Sequence, residues 1–198
     1  MYTLIKGLYV KWNQKPTYSV LILGLERSGK TTFLERVKSI YNHVSALPPE
    51  NIISTVGQNI GRITINNTKI QFWDLGGRSS LRSLWYPYFS ECHSIILMID
   101  SSEKERIQET KDVFEALIRH EHIKQVPILI LVNKQDISES LKVEEIKTIL
   151  DNVIEKLDPC KNHIMPTSAV DGRTGVQEAI EWLKNQMEQN AFLRKPIY

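Results

Sequence analysis

The sequence predicts an α/β protein built on a doubly wound, six-stranded, mostly parallel sheet with an amphipathic helix at its amino terminus. Three observations lead there. Short β-branched runs alternate with longer stretches whose apolar residues recur every three or four positions. The 198 residues, 41% of them hydrophobic, are one domain's worth of chain and enough to bury a core. A turn-forming Asn66-Asn67 pair separates two strand-like runs and marks a hairpin.

Taken in order, residues 18–23 form a buried strand that breaks at Gly24. Residues 31–41 follow as a helix with Phe33, Leu34, Val37 and Ile40 at helical spacing. The polar stretch through Pro48-Pro49 to Thr55 is too irregular for an element of its own. Residues 60–65 and 69–73 are the hairpin strands, and 95–100, 127–133 and 164–167 the remaining strands. Helices are expected at 103–119, 143–157 and 175–189. The division is residues 1–17 as helix and linker, 18–190 as the main domain and 191–198 as a tail. In a doubly wound sheet, function resides in the loops at the carboxyl ends of the strands.

Twenty-five Lys and Arg against 23 Asp and Glu leave a net charge of +2, which argues against a nucleic-acid binder working through bulk positive charge. The longest apolar runs, 20–23, 95–99 and 127–132, fall far short of the ~18 residues that cross a bilayer. Lys6 and Lys11 interrupt the opening segment and no small-residue cleavage site follows, so no secretory signal is read and a cytosolic protein is expected. Cys92 and Cys160 offer neither metal spacing nor a disulfide framework. Asn66-Asn67-Thr68 matches a glycosylation triplet but is read as a bare turn, and His120 and His122 as a solvated helix end.

Chemistry begins at Gly24-Leu25-Glu26-Arg27-Ser28-Gly29-Lys30-Thr31, a G-x-x-x-x-G-K-[ST] motif between strand and helix. Its glycines let the backbone bend around phosphate while loop amides and the helix start point at the anion. Lys30 would reach the β- and γ-phosphates, the Thr31 hydroxyl would ligate Mg²⁺, and Thr32 lies beside it. Asn133-Lys134-Gln135-Asp136, directly after a strand, names the base. An aspartate in the base plane accepts from both N1–H and N2–H₂ of guanine, and adenine offers no such pair of donors. Asn133 can bridge to the phosphate loop, the stem of Lys134 can cover the base, and Ser168-Ala169 would offer a backbone amide to the guanine carbonyl. Asp74 in Asp74-Leu75-Gly76-Gly77 would hold Mg²⁺ through water, the Gly77 amide could sense the third phosphate, and Thr55 is placed to close on the metal.

These residues resemble the Arf family of small GTPases over nearly the whole chain. The shared marks are Trp73 before Asp74, Gly76-Gly77, Asn133–Asp136, Thr55-Val56-Gly57, Leu84-Trp85 and Tyr88-Phe89. Within the family, Met1-Tyr2, Gly57-Gln58-Asn59 and the ending Arg194-Lys195-Pro196-Ile197-Tyr198 are most similar to the Arf-related subgroup of the trans-Golgi. The resemblance implies a monomeric switch that cycles between GTP and GDP with Mg²⁺. Its hairpin at 59–73 would slide between two registers, and the amino-terminal helix would be released with GTP. Exchange factors, GTPase-activating proteins, Golgi effectors and an integral membrane receptor are the implied partners.

Position 78 departs from that pattern, with arginine where the family carries a glutamine that orients the attacking water. Arginine has donors only and cannot accept from water. Glu26 and Arg27 are also larger than usual for their part of the phosphate loop. The reading adopted is a slow hydrolyser, with Lys30, Gly77 and Arg78 as the catalytic positions. The rivals are an internal arginine finger and a solvated Arg78 whose partner protein supplies catalysis. At the amino terminus, Leu4, Ile5, Leu8, Tyr9 and Trp12 form one helical stripe with Lys6, Lys11 and Lys15 largely off it, which suits a membrane interface. Tyr2 excludes myristoylation and the carboxyl end is no prenylation signal, so a protein receptor is expected to hold the chain on Golgi membranes. A recruitment module with little turnover stands as the alternative function, and Asn133–Asp136 argues against a P-loop kinase or ATPase.

Overall fold

The computed structural model describes residues 15–158, 161–172 and 175–198. Its six strands are β1 (Thr17–Gly24), β2 (Gln58–Ile65), β3 (Thr68–Leu75), β4 (Ser94–Asp100), β5 (Ile128–Asn133) and β6 (Asn162–Pro166). They form one sheet in the order β2-β3-β1-β4-β5-β6, antiparallel only between β2 and β3. The helices are α1 (Lys30–Asn42), α2 (Ile107–Ile118), α3 (Val143–Ile149), α4 (Asp151–Ile154) and α5 (Val176–Gln189). The predicted amino-terminal helix, Cys160 and the loop residues 173–174 lie outside the described residues.

Strand periodicity divides the core into two layers. Leu21, Leu23, Ile95, Leu97, Ile99, Ile128 and Ile130 face Phe114 and Leu117 of α2, together with Ile146, Leu150 and Val153. The intervening Val20, Ile22, Ile96, Met98, Leu129 and Leu131 face Phe33, Leu34 and Val37 of α1 and Ile180, Leu183 and Met187 of α5. Because β1 lies between β3 and β4, the chain leaves it in one direction and returns on the other side. The carboxyl end of β1 is therefore a switch point of the sheet, where such folds hold their ligands.

Two elements differ from their predicted form, and a third has no predicted counterpart. The stretch 103–119 starts as a 3₁₀ turn, Lys104–Arg106, and becomes α-helical only at Ile107. The stretch 143–157 is interrupted at Leu150, which leaves helical ψ at φ −92°, ψ 7°. That step keeps Ile146, Leu150 and Val153 all buried against the same layer. The third is a ten-residue 3₁₀ run, Ser79–Tyr88, which repeats at three residues per turn and so escapes a search for 3.6-residue periodicity. His120 also departs from its expected place at a solvated helix end. It caps the short turn Glu121–Ile123 and packs on Tyr86 and Phe89.

The hairpin turns at Asn66, whose φ of 53° suits asparagine. At the carboxyl end the tail lies on the domain: Thr17 and Ile197 exchange backbone hydrogen bonds of 2.8 and 3.0 Å.

Candidate functional site

The motif residues 24–31 wrap the carboxyl end of β1 and the start of α1. Gly29 caps α1 at φ 92°, and a Cβ there would lie 2.2 Å from Asn133 Nδ2, so only glycine fits. Arg27 also takes a positive φ of 64°. The Lys30 ammonium is buried and donates to the carbonyls of Gly24 (3.0 Å) and Leu25 (2.6 Å). Burial lowers its pKa to about 8, against the opposing pull of the Asp74 charge. A buried cation with no carboxylate at ion-pair distance among the described residues, set in a glycine-lined loop, is the chemistry of an anion site.

Asp74 sits at the end of β3, fully buried. Thr31 Oγ1 donates to its Oδ2 at 2.6 Å and lies 2.9 Å from Thr55 Oγ1, which is itself 3.3 Å from Oδ2. Desolvation pushes the Asp74 carboxyl above its ordinary range, and these hydroxyls pull it back. Its Oδ1 has no hydrogen-bond partner among the described residues. Two hydroxyls and a carboxylate with a spare buried lone pair are hard oxygen donors that fit Mg²⁺. Thr55, expected to close on the metal, lies within hydrogen-bond distance of both Thr31 and Asp74. Thr31, Thr32, Thr55, Gly77 and Arg78 line a cavity of about 160 Å³ with Gly29 and Lys30.

Gly77 packs directly on the phosphate loop. A Cβ there would fall 2.4 Å from the Gly24 carbonyl oxygen and 2.5 Å from the Glu26 nitrogen. Its neighbour Arg78 calls for a correction. Read alone, Arg78 has no partner to fix its planar guanidinium, but its Nε lies 3.3 Å from Glu26 Oε2 on the phosphate loop. Two oversized residues that the sequence presents separately are a pair, although both side chains stay over one-third exposed.

The loops expected to read the base come together by hydrogen bonding. Asn133, buried at the end of β5, donates from Nδ2 to the Ser28 carbonyl (2.8 Å) and accepts from the Ala169 amide at Oδ1 (3.1 Å). The Ala169 amide, expected to face the base, is therefore engaged by Asn133, while Ser168 Oγ donates to Asp136 Oδ1 at 2.6 Å. Lys134, at φ 67°, pairs with Asp100 at 2.5 Å. Leu25, within the 24–31 loop, is buried.

Sequence reasoning missed the outer supports. Gln135 donates to Ser101 Oγ and the Leu141 carbonyl, Asp100 anchors Lys134, and Arg36 donates to the Ala169 and Val170 carbonyls. Gln135 stands inside the quoted Asn-Lys-Gln-Asp string and could have been found there. Asp100 and Arg36 carry no local signal.

A strand–loop–helix phosphate cradle joined to a second loop that carries Asn133, Lys134 and Asp136 defines a small guanine-nucleotide-binding protein. The ADP-ribosylation factor family model matches residues 4–187. The chain is 44% identical to ADP-ribosylation factor-like protein 3 of Saccharomyces cerevisiae over 199 aligned residues, covering 100% of this chain and 100% of that protein. It is 42% identical to ADP-ribosylation factor-related protein 1 of Bos taurus over 191 residues, 96% of this chain and 94% of that one. Among solved structures, the Trypanosoma brucei Arl6 BBS3 small GTPase with bound GppNp superposes with a TM-score of 0.76. That match has 27% identity and covers 88% of this chain and 99% of the other. The chain belongs to the ADP-ribosylation factor family. It is a small GTPase, an enzyme class that binds GTP and GDP and works with exchange factors, activating proteins and effectors.

Proposed function

We propose that this chain is a Mg²⁺-dependent guanine-nucleotide switch that hydrolyses GTP slowly and recruits effectors to Golgi membranes in vesicle traffic. The observation that carries the nucleotide part is the Asn133 Nδ2–Ser28 hydrogen bond, which fastens the base-reading loop to the phosphate loop across 105 residues. One ligand then touches both loops, its phosphates on residues 24–32 and its base between Lys134, Asp136, Ser168 and Ala169. Thr31 and Thr55 would hold Mg²⁺ directly and Asp74 through water. The ion supplies charge that neutralises the phosphates. Lys30 reaches the β- and γ-phosphates, and the Gly77 amide meets the third phosphate.

Slow turnover follows from Arg78, whose donors cannot accept a hydrogen bond from the attacking water. A second reading has a specific observation behind it. Glu26 holds the guanidinium on the wall of the cavity, where positive charge could stabilise the transition state. The alternative of a recruitment module with little turnover differs only in rate. The Golgi setting and the membrane receptor rest on the resemblance to the trans-Golgi subgroup and on the apolar stripe Leu4, Ile5, Leu8, Tyr9 and Trp12. No helix among the described residues is long and apolar enough to cross a membrane.

Displacement of a fluorescent GDP analogue tests the nucleotide reading. GTP and GDP should compete in the presence of Mg²⁺ and ATP should not; equal displacement by ATP would end it. For the membrane part, alanine at Leu4, Leu8 and Trp12 should release the protein from Golgi membranes without altering nucleotide affinity. Retention of that variant on Golgi membranes removes the amino-terminal stripe from the account.

A further inference from the structure

The segment after Gly77 is tied to the phosphate loop by a route that leaves the site and comes back. Arg82, in the 3₁₀ run, donates Nε to the Gly77 carbonyl at 3.1 Å and Nη2 to Glu109 Oε1 at 2.5 Å. The other oxygen of Glu109, on the first turn of α2, accepts from Arg106 Nε at 3.1 Å. Arg106 Nη1 then donates to the Glu26 carbonyl at 3.4 Å and to Glu103 Oε2 at 3.2 Å. With the Arg78–Glu26 pair the circuit closes: Gly77, Arg82, Glu109, Arg106, Glu26, Arg78.

We propose that Glu109 is a positioning residue that holds the Gly77 peptide over the phosphate loop and so favours the triphosphate over the diphosphate. The inference rests on the guanine-nucleotide reading above. Glu109 spends one oxygen on each of two guanidinium groups that would otherwise repel, and the two arginines reach the backbone of Gly77 and of Glu26, which pack on each other. Arg82 fixes the carbonyl of Gly77, and Arg106 fixes that of Glu26. Gly77 needs this restraint because its packing against Gly24 and Glu26 leaves no side chain of its own to hold it. Trp85 Nε1, donating to the Gly76 carbonyl at 3.0 Å, anchors the peptide that carries the Gly77 N–H, and Arg82 anchors the peptide that follows it. Charge-assisted hydrogen bonds of this kind are the strong ones, and losing one turns attraction between α2 and the 3₁₀ run into repulsion. Glutamine at 109 keeps the shape, but its amide presents a donor to one arginine. Aspartate keeps both acceptors on a shorter stem.

The test measures GTP and GDP affinities with Mg²⁺ for the full chain and for Glu109→Gln, Glu109→Asp, Arg82→Ala and the double variant Arg82→Ala/Glu109→Gln. GDP does not reach Gly77, so its affinity should stay within about twofold, which also reports that the variants fold. The ratio of GTP to GDP affinity should drop about tenfold in Glu109→Gln, the loss of one charge-assisted bond. Glu109→Asp should recover part of it, and the double variant should lose no more than either single. An unchanged ratio in Glu109→Gln, equal losses for both nucleotides, or additive losses in the double variant would each overturn the proposal. If the unaltered chain binds neither guanine nucleotide, it is the parent reading that falls.

Discussion

Around Asn133–Asp136 and Ser168–Ala169 the polar side chains are tied to one another and to the fold, whereas around Lys30, Asp74 and Arg78 one buried carboxylate oxygen, Asp74 Oδ1, has no partner among the described residues and the Arg78 pair is exposed. On the base side, Asn133 is satisfied at both ends of its amide, Gln135 reaches Ser101 and Leu141, and Lys134 pairs with Asp100. On the phosphate side, an ammonium is buried on two carbonyls and a buried carboxylate oxygen has no partner among the described residues. Arg78 holds its carboxylate at the surface. The difference separates reading from switching. A saturated network has one arrangement and can select a base without moving. A set with a spare buried oxygen and a buried ammonium is open to a further ligand, and under the proposed function a change of arrangement on binding is what a partner protein would detect.

The contrast is broken most severely at Asp136. Its exposed carboxylate is held by Ser168, so the Asp136→Asn variant keeps its place while one acceptor becomes a donor. Two hydrogen bonds to a charged group are at stake, so GTP affinity should fall by roughly a hundredfold or more and xanthine nucleotide should be preferred. Competition between GTP and XTP reads this directly. Unchanged GTP affinity would mean that the base is read elsewhere.

Thr31→Asn attacks the unsaturated side. It removes the hydroxyl that donates to Asp74 at 2.6 Å and, with it, a ligand of the geometry Mg²⁺ demands. GTP affinity with Mg²⁺ should fall about tenfold more than GDP affinity, because the larger anion depends more on the ion. Titrations with and without Mg²⁺ decide, and equal losses for the two nucleotides would remove Thr31 from the metal site.

How far this division was legible in the sequence follows from how each feature is encoded. The phosphate loop and Asn133–Asp136 are contiguous strings whose order along the chain mirrors their place at the strand ends. The strands announce themselves by β-branched runs, and the two-faced core by alternation within β1, β4 and β5. The 3₁₀ run Ser79–Tyr88 has no 3.6-residue period to find. The Arg78–Glu26, Arg82–Glu109 and Lys134–Asp100 pairs join residues 52, 27 and 34 positions apart, a relation set by packing that no local pattern carries. Reading Arg78 alone therefore gave no partner for its guanidinium, and the structure adds Glu26 beside it while leaving the side chain exposed.

Arg78→Gln sharpens the comparison at the point of chemistry. Glutamine both accepts from and donates to the attacking water, so single-turnover hydrolysis of loaded GTP should rise by about an order of magnitude, with stronger stimulation by an activating protein. The opposing effect is the loss of positive charge near the transferred phosphoryl group. Orientation should prevail, since the Glu26 carboxylate already neutralises much of that charge. Faster hydrolysis by the unaltered chain would establish the arginine-finger reading instead.

The smallest effect belongs to a saturated group far from the nucleotide. His93 accepts from the Ser19 amide at Nδ1 and donates from Nε2 to the Lys195 carbonyl, both at 2.9 Å, with Tyr18 edge-on 5.3 Å away. Burial lowers its pKa, partly offset by the Lys195 carbonyl, while the Arg194 charge adds to the lowering. A proton arriving at Nδ1 would confront the Ser19 N–H. Between the folded pKa and the ordinary value of 6.5 the unfolded chain binds more protons, so stability rises with pH there. It is fully present above about 6.5 and is lost as pH falls through the folded pKa, at no more than about 1.4 kcal/mol per pH unit. Urea unfolding at pH 7 and pH 5.5 should therefore show a larger loss for the unaltered chain than for His93→Asn, by about 1 kcal/mol or less. The bond between Thr17 and Ile197 should loosen with it, as slower-exchanging amides there become accessible. Nucleotide affinity at the two pH values should not separate the two proteins, because His93 lies at the amino-terminal edge of β4 and the site at the carboxyl ends of the strands. An equal pH response in both would show that the ring's two hydrogen bonds survive protonation, and a nucleotide effect would show that saturated groups of this fold do communicate with its switch.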